Sequence, residues 1–177
     1  MTCEGKKVAL FVENMFEDLE FWYPRIRLEE AGAEVTVIGP ERGDYTGKKG
    51  LPAKADLAIG ETKAADHDLL VIPGGYAPDM MRRKPEMVAF VKSIHELGRP
   101  VAAICHAGWM LASAGVLPGR TVTSFFAIRD DLVNAGAIWV DEEVVVEGNL
   151  ITSRTPQDLP AFCKAILGVL AESGERG

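Results

Sequence analysis

The chain has 177 residues, 47% hydrophobic and 25% charged, and its 19 basic and 26 acidic side chains give a formal charge of −7. That length suits one domain, residues 1–177, whose core needs no disulfide or metal staple. The acidic excess disfavours a general nucleic-acid binder, and no apolar run approaches the ~18 residues of a membrane span, so the expectation is a cytoplasmic protein with neither nucleic acid nor membrane as partner.

The apolar run Val8 to Val12 reads as a buried strand, too short before Glu13 to serve as a secretory signal. Glu17 to Ala31 reads as a helix with Leu19, Trp22, Ile26 and Leu28 mostly on one side. Pro24 should kink it and Gly32 end it. Glu34 to Ile38 is a second strand. Gly43 to Ile59, with its glycines and Pro52, suggests a hairpin or short extended pieces. Asp68 to Ile72 is a third strand and ends in Pro73-Gly74-Gly75. Pro85 to Leu97 carries Met87, Phe90, Val91, Ile94 and Leu97 at the spacing of one helix face. Val101 to Ile104 is a fourth strand, running directly into Cys105-His106 and a helix to about Ala114. A strand near Thr121 and a helix from about Ile128 to Ala135 follow, then strands at Glu143 to Val146 and Leu150 to Thr152. The last helix has Thr155 as N-cap, Pro156 at its first position and Asp158 near the capping-box position. Its core face is Leu159, Phe162, Cys163, Ile166, Leu167 and Leu170. Strands alternating with helices predict an α/β fold with a mostly parallel sheet.

Ligands of such sheets bind beyond the carboxyl ends of the strands. If the first, third and fourth strands are neighbours, Glu13 to Asp18, Pro73 to Asp79 and Cys105-His106 meet at one site. Cys105 is the leading candidate nucleophile. It stands at a strand-to-helix turn framed by Ala103, Ala107 and Gly108, as a tight nucleophile elbow requires. A helix N-terminus there would favour its thiolate. His106 is placed to act as base or proton shuttle. The N–H groups of Gly74, Gly75 and His106 are candidate oxyanion donors. Glu17 is the candidate carboxyl beside the thiol, protonated if desolvated, and Asp79 the candidate orienter of His106.

The other two cysteines have no CxxC or Cys/His ligand spacing. Cys163 reads as core packing and Cys3 as part of a frayed tail. His67, in the turn Asp66-His67-Asp68, and His95, off its helix's apolar face, read as solvated. No metal or cofactor is expected. The loop after the first strand is acidic and lacks the Gly, Ser or Thr of a flavin phosphate cradle, and neither GxGxxG nor GxxxxGK[ST] occurs.

Several separated motifs, in order, resemble the PfpI group of the ThiJ/PfpI superfamily, a fold related to class I glutamine amidotransferase domains. They include Phe16-Glu17-Asp18 with Tyr23-Pro24, Ile72-Pro73-Gly74-Gly75, Ala103-Ile104-Cys105-His106, Asp130-Asp131 with Asn134-Ala135-Gly136, and Ser153-Arg154. The resemblance implies a flavodoxin-like three-layer sandwich. It implies Cys105 as nucleophile, His106 as its partner, Glu17 as the carboxyl touching the thiol, and Gly75 and His106 as oxyanion donors. It also implies a homo-oligomer, dimer or hexamer, in which a neighbouring subunit's carboxylate completes the triad. The matching position is Asp79, one methylene shorter than the Glu expected there. Phe125 stands where relatives often carry a Tyr. Three cofactor-free activities are implied: glyoxalase or deglycase chemistry on small carbonyl compounds, and intracellular peptidase chemistry. A redox-responsive stress protein without turnover is the reading from another class.

Overall fold

The structure is a computed structural model and describes residues 2–172. In chain order the elements are β1 (Lys7–Phe11), α1 (Asp18–Glu30), β2 (Glu34–Gly39), β3 (Gly43–Thr46), β4 (Pro52–Ala55), β5 (Leu57–Ala58), β6 (Leu69–Ile72), α2 (Ala77–Met81) and α3 (Pro85–Glu96). Then come β7 (Val101–Ile104), α4 (Gly108–Ala114), β8 (Thr121–Val122), α5 (Arg129–Asn134), β9 (Ile138–Trp139), β10 (Val144–Glu147), β11 (Leu150–Ser153) and α6 (Leu159–Glu172).

Seven strands form the main sheet in the order β10-β11-β7-β6-β1-β2-β5. Every pairing is parallel except β10 with β11. A parallel sheet covered on both faces has no polar side to alternate with, so its central strands are continuous apolar runs. Val8 to Phe11, Leu69 to Ile72 and Val101 to Ile104 are accordingly all buried. Helices α1 and α6 pack together, and α3, α4 and α5 form a second group. This is the flavodoxin-like arrangement of helices about a mostly parallel sheet. The hairpin of β3 and β4 stands outside the main sheet, as does the parallel pair of β8 and β9. Among the described residues no helix is long and apolar enough to cross a membrane.

The order puts β1 beside β6 and β6 beside β7, so the carboxyl ends of the predicted first, third and fourth strands are adjacent. Several local expectations are corrected. In α1, Leu19 and Ile26 are 52% and 57% exposed, and the buried stripe is Glu20, Phe21, Pro24 and Leu28. The helix continues through Pro24. Leu97 is exposed because α3 has already reached its C-cap there. Cys3 is buried, its N–H donating to the Ala31 carbonyl at 2.7 Å, so it docks on the end of α1 instead of fraying. His67 is also buried. Its Nε2 lies 2.8 Å from Thr62 Oγ1, and its ring packs near Phe90. The turn before β6 folds inward there because Arg99 binds the carbonyls of Ala65 and His67. His95 is half-buried, with Nδ1 shielded from solvent. The run after Thr155 begins as a 3-10 turn, and the Asp158 carboxylate pairs with Arg154 at 2.9 Å.

Candidate active site

Cys105 stands where β7 ends, with φ +61°, one of two non-glycine residues among those described in the left-handed region. Only strong tertiary restraint holds a side chain-bearing residue there. The restraint is visible in the neighbouring small residues. A Cβ on Gly74 would lie 2.7 Å from Cys105 Cβ and 2.5 Å from Glu20 Oε2. A Cβ on Gly108 would lie 3.0 Å from a Leu132 methyl. Gly75 has φ +75°, and a Cβ there would lie 2.5 Å from the Glu17 nitrogen. The Gly74-Gly75 loop is pinned to the segment after β1 by Glu17 N–H donating to the Gly74 carbonyl and Tyr76 N–H to the Met15 carbonyl.

The Cys105 sulfur is 3.1 Å from His106 Nδ1. The imidazole lies 5.0 Å from the Phe125 ring in a stacked orientation and 5.2 Å from the Trp109 ring edge-on. Burial, with the Lys48 charge adding, holds His106 below the ordinary imidazole range, so the ring is neutral and able to accept a proton.

The carboxyl that meets the thiol is Glu20, not Glu17. Glu17 is the N-cap residue of α1, buried in the cavity wall, with Oε2 2.6 Å from Lys48 Nζ. Its Oε1 is buried with no hydrogen-bond partner among the described residues. Glu20 sits one turn further in, fully buried, and accepts the Gly74 N–H at 2.8 Å on Oε2. It also interacts with the Cys105 thiol, although Oε1 has no well-aligned partner. Burial pushes the Glu20 carboxyl up to about 8, so it carries its proton at neutral pH. Glu20 falls on the same stripe as Phe21, Pro24 and Leu28, and that spacing was the available signal for it.

Gly74 is displaced from the oxyanion role for the same reason, since Glu20 already takes its N–H. The N–H groups of Gly75 and His106 do face the sulfur. The expected depression of the thiol does not occur. Burial pushes Cys105 up to about 12, the Glu20 charge reinforces this whenever Glu20 is ionised, and the backbone N–H groups and Lys48 only partly oppose it. The two groups titrate as a pair in which one charge disfavours the other. With Glu20 protonated, thiol and neutral imidazole form the resting pair.

Asp79 lies on the short helix α2. Its carboxylate pairs with Arg83, its side chain is 46% exposed, and among the described residues no carboxylate hydrogen-bonds His106. Cys105 and His106 line a cavity of about 450 Å³ with Glu17, Glu20, Lys48, Tyr76, Phe125 and the Thr155–Gln157 turn. Cys163 is buried in the face of α6, and burial pushes its thiol up to about 12.

The sequence pattern of the DJ-1/PfpI family matches residues 6–168. A deglycase of Thermococcus kodakarensis is 48% identical over 164 residues, covering 93% of this chain and 99% of that one. General stress protein 18 of Bacillus subtilis is 43% identical over 169 residues, covering 94% and 98%. Among solved structures, Drosophila melanogaster DJ-1beta superposes with a TM-score of 0.85 at 30% identity, over 94% of this chain and 89% of that one. A two-domain protein of Anabaena variabilis, with DJ-1/ThiJ/PfpI-like and ferritin-like domains, gives 0.93 at 48% identity over 94% of this chain, which spans 48% of that larger one. A strained cysteine after a central parallel strand, a match over nearly the whole length and these relatives agree: the chain belongs to the DJ-1/PfpI family.

Proposed function

We propose that the protein is a cofactor-independent cysteine hydrolase of the deglycase and glyoxalase type, acting on small carbonyl compounds in stress defence. The observation that carries this reading is the Cys105 sulfur held 3.1 Å from a neutral His106 in the wall of a cavity of about 450 Å³. A cavity of that size suits a small molecule better than an extended peptide. The deglycase relative at 48% identity supports the substrate class, and the stress protein supports the setting.

In this reading His106 takes the thiol proton as sulfur adds to the carbonyl carbon. The C=O electron pair moves to oxygen, which receives the N–H groups of Gly75 and His106. A glycated adduct first loses its amine, which His106 protonates as the C–N bond breaks, and the 2-oxoaldehyde so released follows the path of the free one. There sulfur adds to the aldehyde carbon, and His106 moves the proton of that carbon to its neighbour, so that the ketone becomes the alcohol and the sulfur-bearing carbon a thioester. Water hydrolyses the thioester, releasing the hydroxy acid and restoring the thiol. Protonated Glu20 steadies the sulfur, and the unpartnered Oε1 of Glu17 is placed to accept a hydrogen bond from substrate.

The proposal includes a homo-oligomer, dimer or hexamer, in which Asp79 of one copy orients His106 of its neighbour. What supports this is that Asp79 makes no bond to its own His106 and sits partly exposed two residues from Ala77, at the rim by Tyr76. The test is steady-state turnover of methylglyoxal and its amine adducts beside an unstructured protein, with Cys105→Ala as control. Carbonyl turnover that Cys105→Ala abolishes supports the reading. Cys105-dependent cleavage of the protein substrate alone makes it a peptidase, and reversible Cys105 oxidation without turnover makes it a redox protein.

A further inference from the structure

Asp18 is a buried carboxylate that the chemistry above does not use. It opens α1, yet its side chain does not cap that helix. Instead Oδ2 accepts the Lys49 N–H at 2.9 Å and Oδ1 the Leu51 N–H at 2.8 Å. Both donors belong to the turn between β3 and β4. The turn approaches so closely that a Cβ on Gly47 would lie 2.5 Å from Asp18 Oδ1. Three more bonds run between the same two segments: Met15 N–H to the Thr46 carbonyl, Lys48 N–H to the Phe16 carbonyl, and Thr46 N–H to Asn14 Oδ1. The other side of Met15 to Glu17 holds the Gly74-Gly75 loop. The segment after β1 is therefore a rail with the cysteine's backbone donors on one side and the hairpin turn on the other.

The turn lines the cavity with Lys48 and Lys49, and of the two it is Lys48 that acts on the thiol. Lys48 Nζ meets Glu17 Oε2, and its charge acts on Cys105, Glu20 and His106 together. Among the described residues the hairpin makes no strand pairing with the main sheet. We propose that Asp18 is a positioning residue for the reactive thiol, clasping the Gly47–Leu51 turn so that Lys48 is fixed over the cavity. A carboxylate accepting two backbone N–H groups forms strong charge-assisted bonds. An amide in its place has one acceptor oxygen and releases one of the two. The lysine would then swing into solvent, where its field at the thiol is screened.

This inference rests on Cys105 being the nucleophile, but not on which carbonyl it attacks. The experiment follows iodoacetamide alkylation of Cys105 against pH, read by peptide mass, in wild type, Asp18→Asn, Lys48→Met, the double variant and Gly47→Ala. The charged and titratable groups around the sulfur are Glu20 from α1, Glu17 at the N-cap of α1 in its ion pair with Lys48, Lys48 from the turn and His106 from its own turn. Of these only the lysine is altered or released, and Gly47→Ala controls for the charge lost in Asp18→Asn. Asp18→Asn and Lys48→Met should each raise the pH midpoint by about 0.5–1 unit, a roughly three- to tenfold loss of rate on the acidic limb. The double variant should shift no further than Lys48→Met alone. Gly47→Ala keeps both charges but forces turn and carboxylate apart, so it should shift the same way. Buried Cys163 reports unfolding, and if Asp18→Asn exposes it, Gly47→Ala decides. An unchanged profile in a folded Asp18→Asn, or additive shifts in the double variant, would overturn the proposal. Failure of carbonyl turnover in wild type would overturn the substrate assignment and leave this result standing.

Discussion

Replacing Glu20 with Gln tests the electrostatic centre of the site. The side chain keeps its length, its oxygen still accepts the Gly74 N–H, and its amide still offers a donor toward sulfur. Only titration is removed. A carboxyl moved from 4.5 to about 8 corresponds to about 5 kcal/mol between low pH and pH above 8. Because the folded-state value is raised, the stability linked to this proton is fully present below about 4.5 and is lost as pH rises through about 8. Local relaxation and water entry reduce the figure, so a difference of about 2–5 kcal/mol is expected. The assay is urea unfolding of both proteins at several pH values from 4.5 to 9. The advantage of Glu20→Gln over wild type should grow steadily across that range. His67, His95 and His106 are lowered by burial and oppose the trend in acid, but they are common to both proteins and cancel in the difference. Parallel pH profiles, separated by less than about 0.5 kcal/mol throughout, would refute a buried proton on Glu20.

Gly74→Ala should cost about 1–3 kcal/mol in thermal unfolding and abolish turnover, since its methyl meets both Cys105 and Glu20. His67→Gln should flatten the acid limb of stability. The buried neutral ring contributes stability above the ordinary imidazole range that is lost as pH falls through its lowered folded value, a loss that chemical denaturation between pH 7 and 5 would display. Mixing inactive Cys105→Ala with inactive Asp79→Ala under verified subunit exchange should restore partial turnover. A mixture that stays dead places Asp79 within its own chain, and full activity of Asp79→Ala alone removes it from the triad.

The runs Val8 to Val12, Asp68 to Ile72 and Val101 to Ile104 were readable because a parallel strand covered on both faces must be apolar throughout. The cysteine elbow was readable because its neighbours must be small. Other features depend on partners distant in sequence. Glu17 and Glu20 are both acids on one turn of helix, and only the packing of α1 on the sheet decides which carboxyl faces sulfur. Leu19 and Ile26 are apolar yet face outward, so composition pointed to the wrong stripe. His67 lies between two acids, a solvated pattern, but Arg99, 32 residues away, folds its turn inward. The pairing of β8 with β9 involves two residues on each strand, too few for any periodicity. Lys48 has no local mark at all, because only the hairpin's docking carries it to the cavity.

The two rims of the main sheet also bear on solubility. Open strand edges invite pairing with other chains. At one rim β5 offers only Leu57 and Ala58, too short a ladder to seed growth. At the other, β10 exposes Val146 but ends in Glu147 and is preceded by Glu142 and Glu143. A second copy docking there antiparallel would bring like charges together along the seam. Glu142, Glu143 and Glu147 at this rim therefore disfavour edge-to-edge stacking of strands.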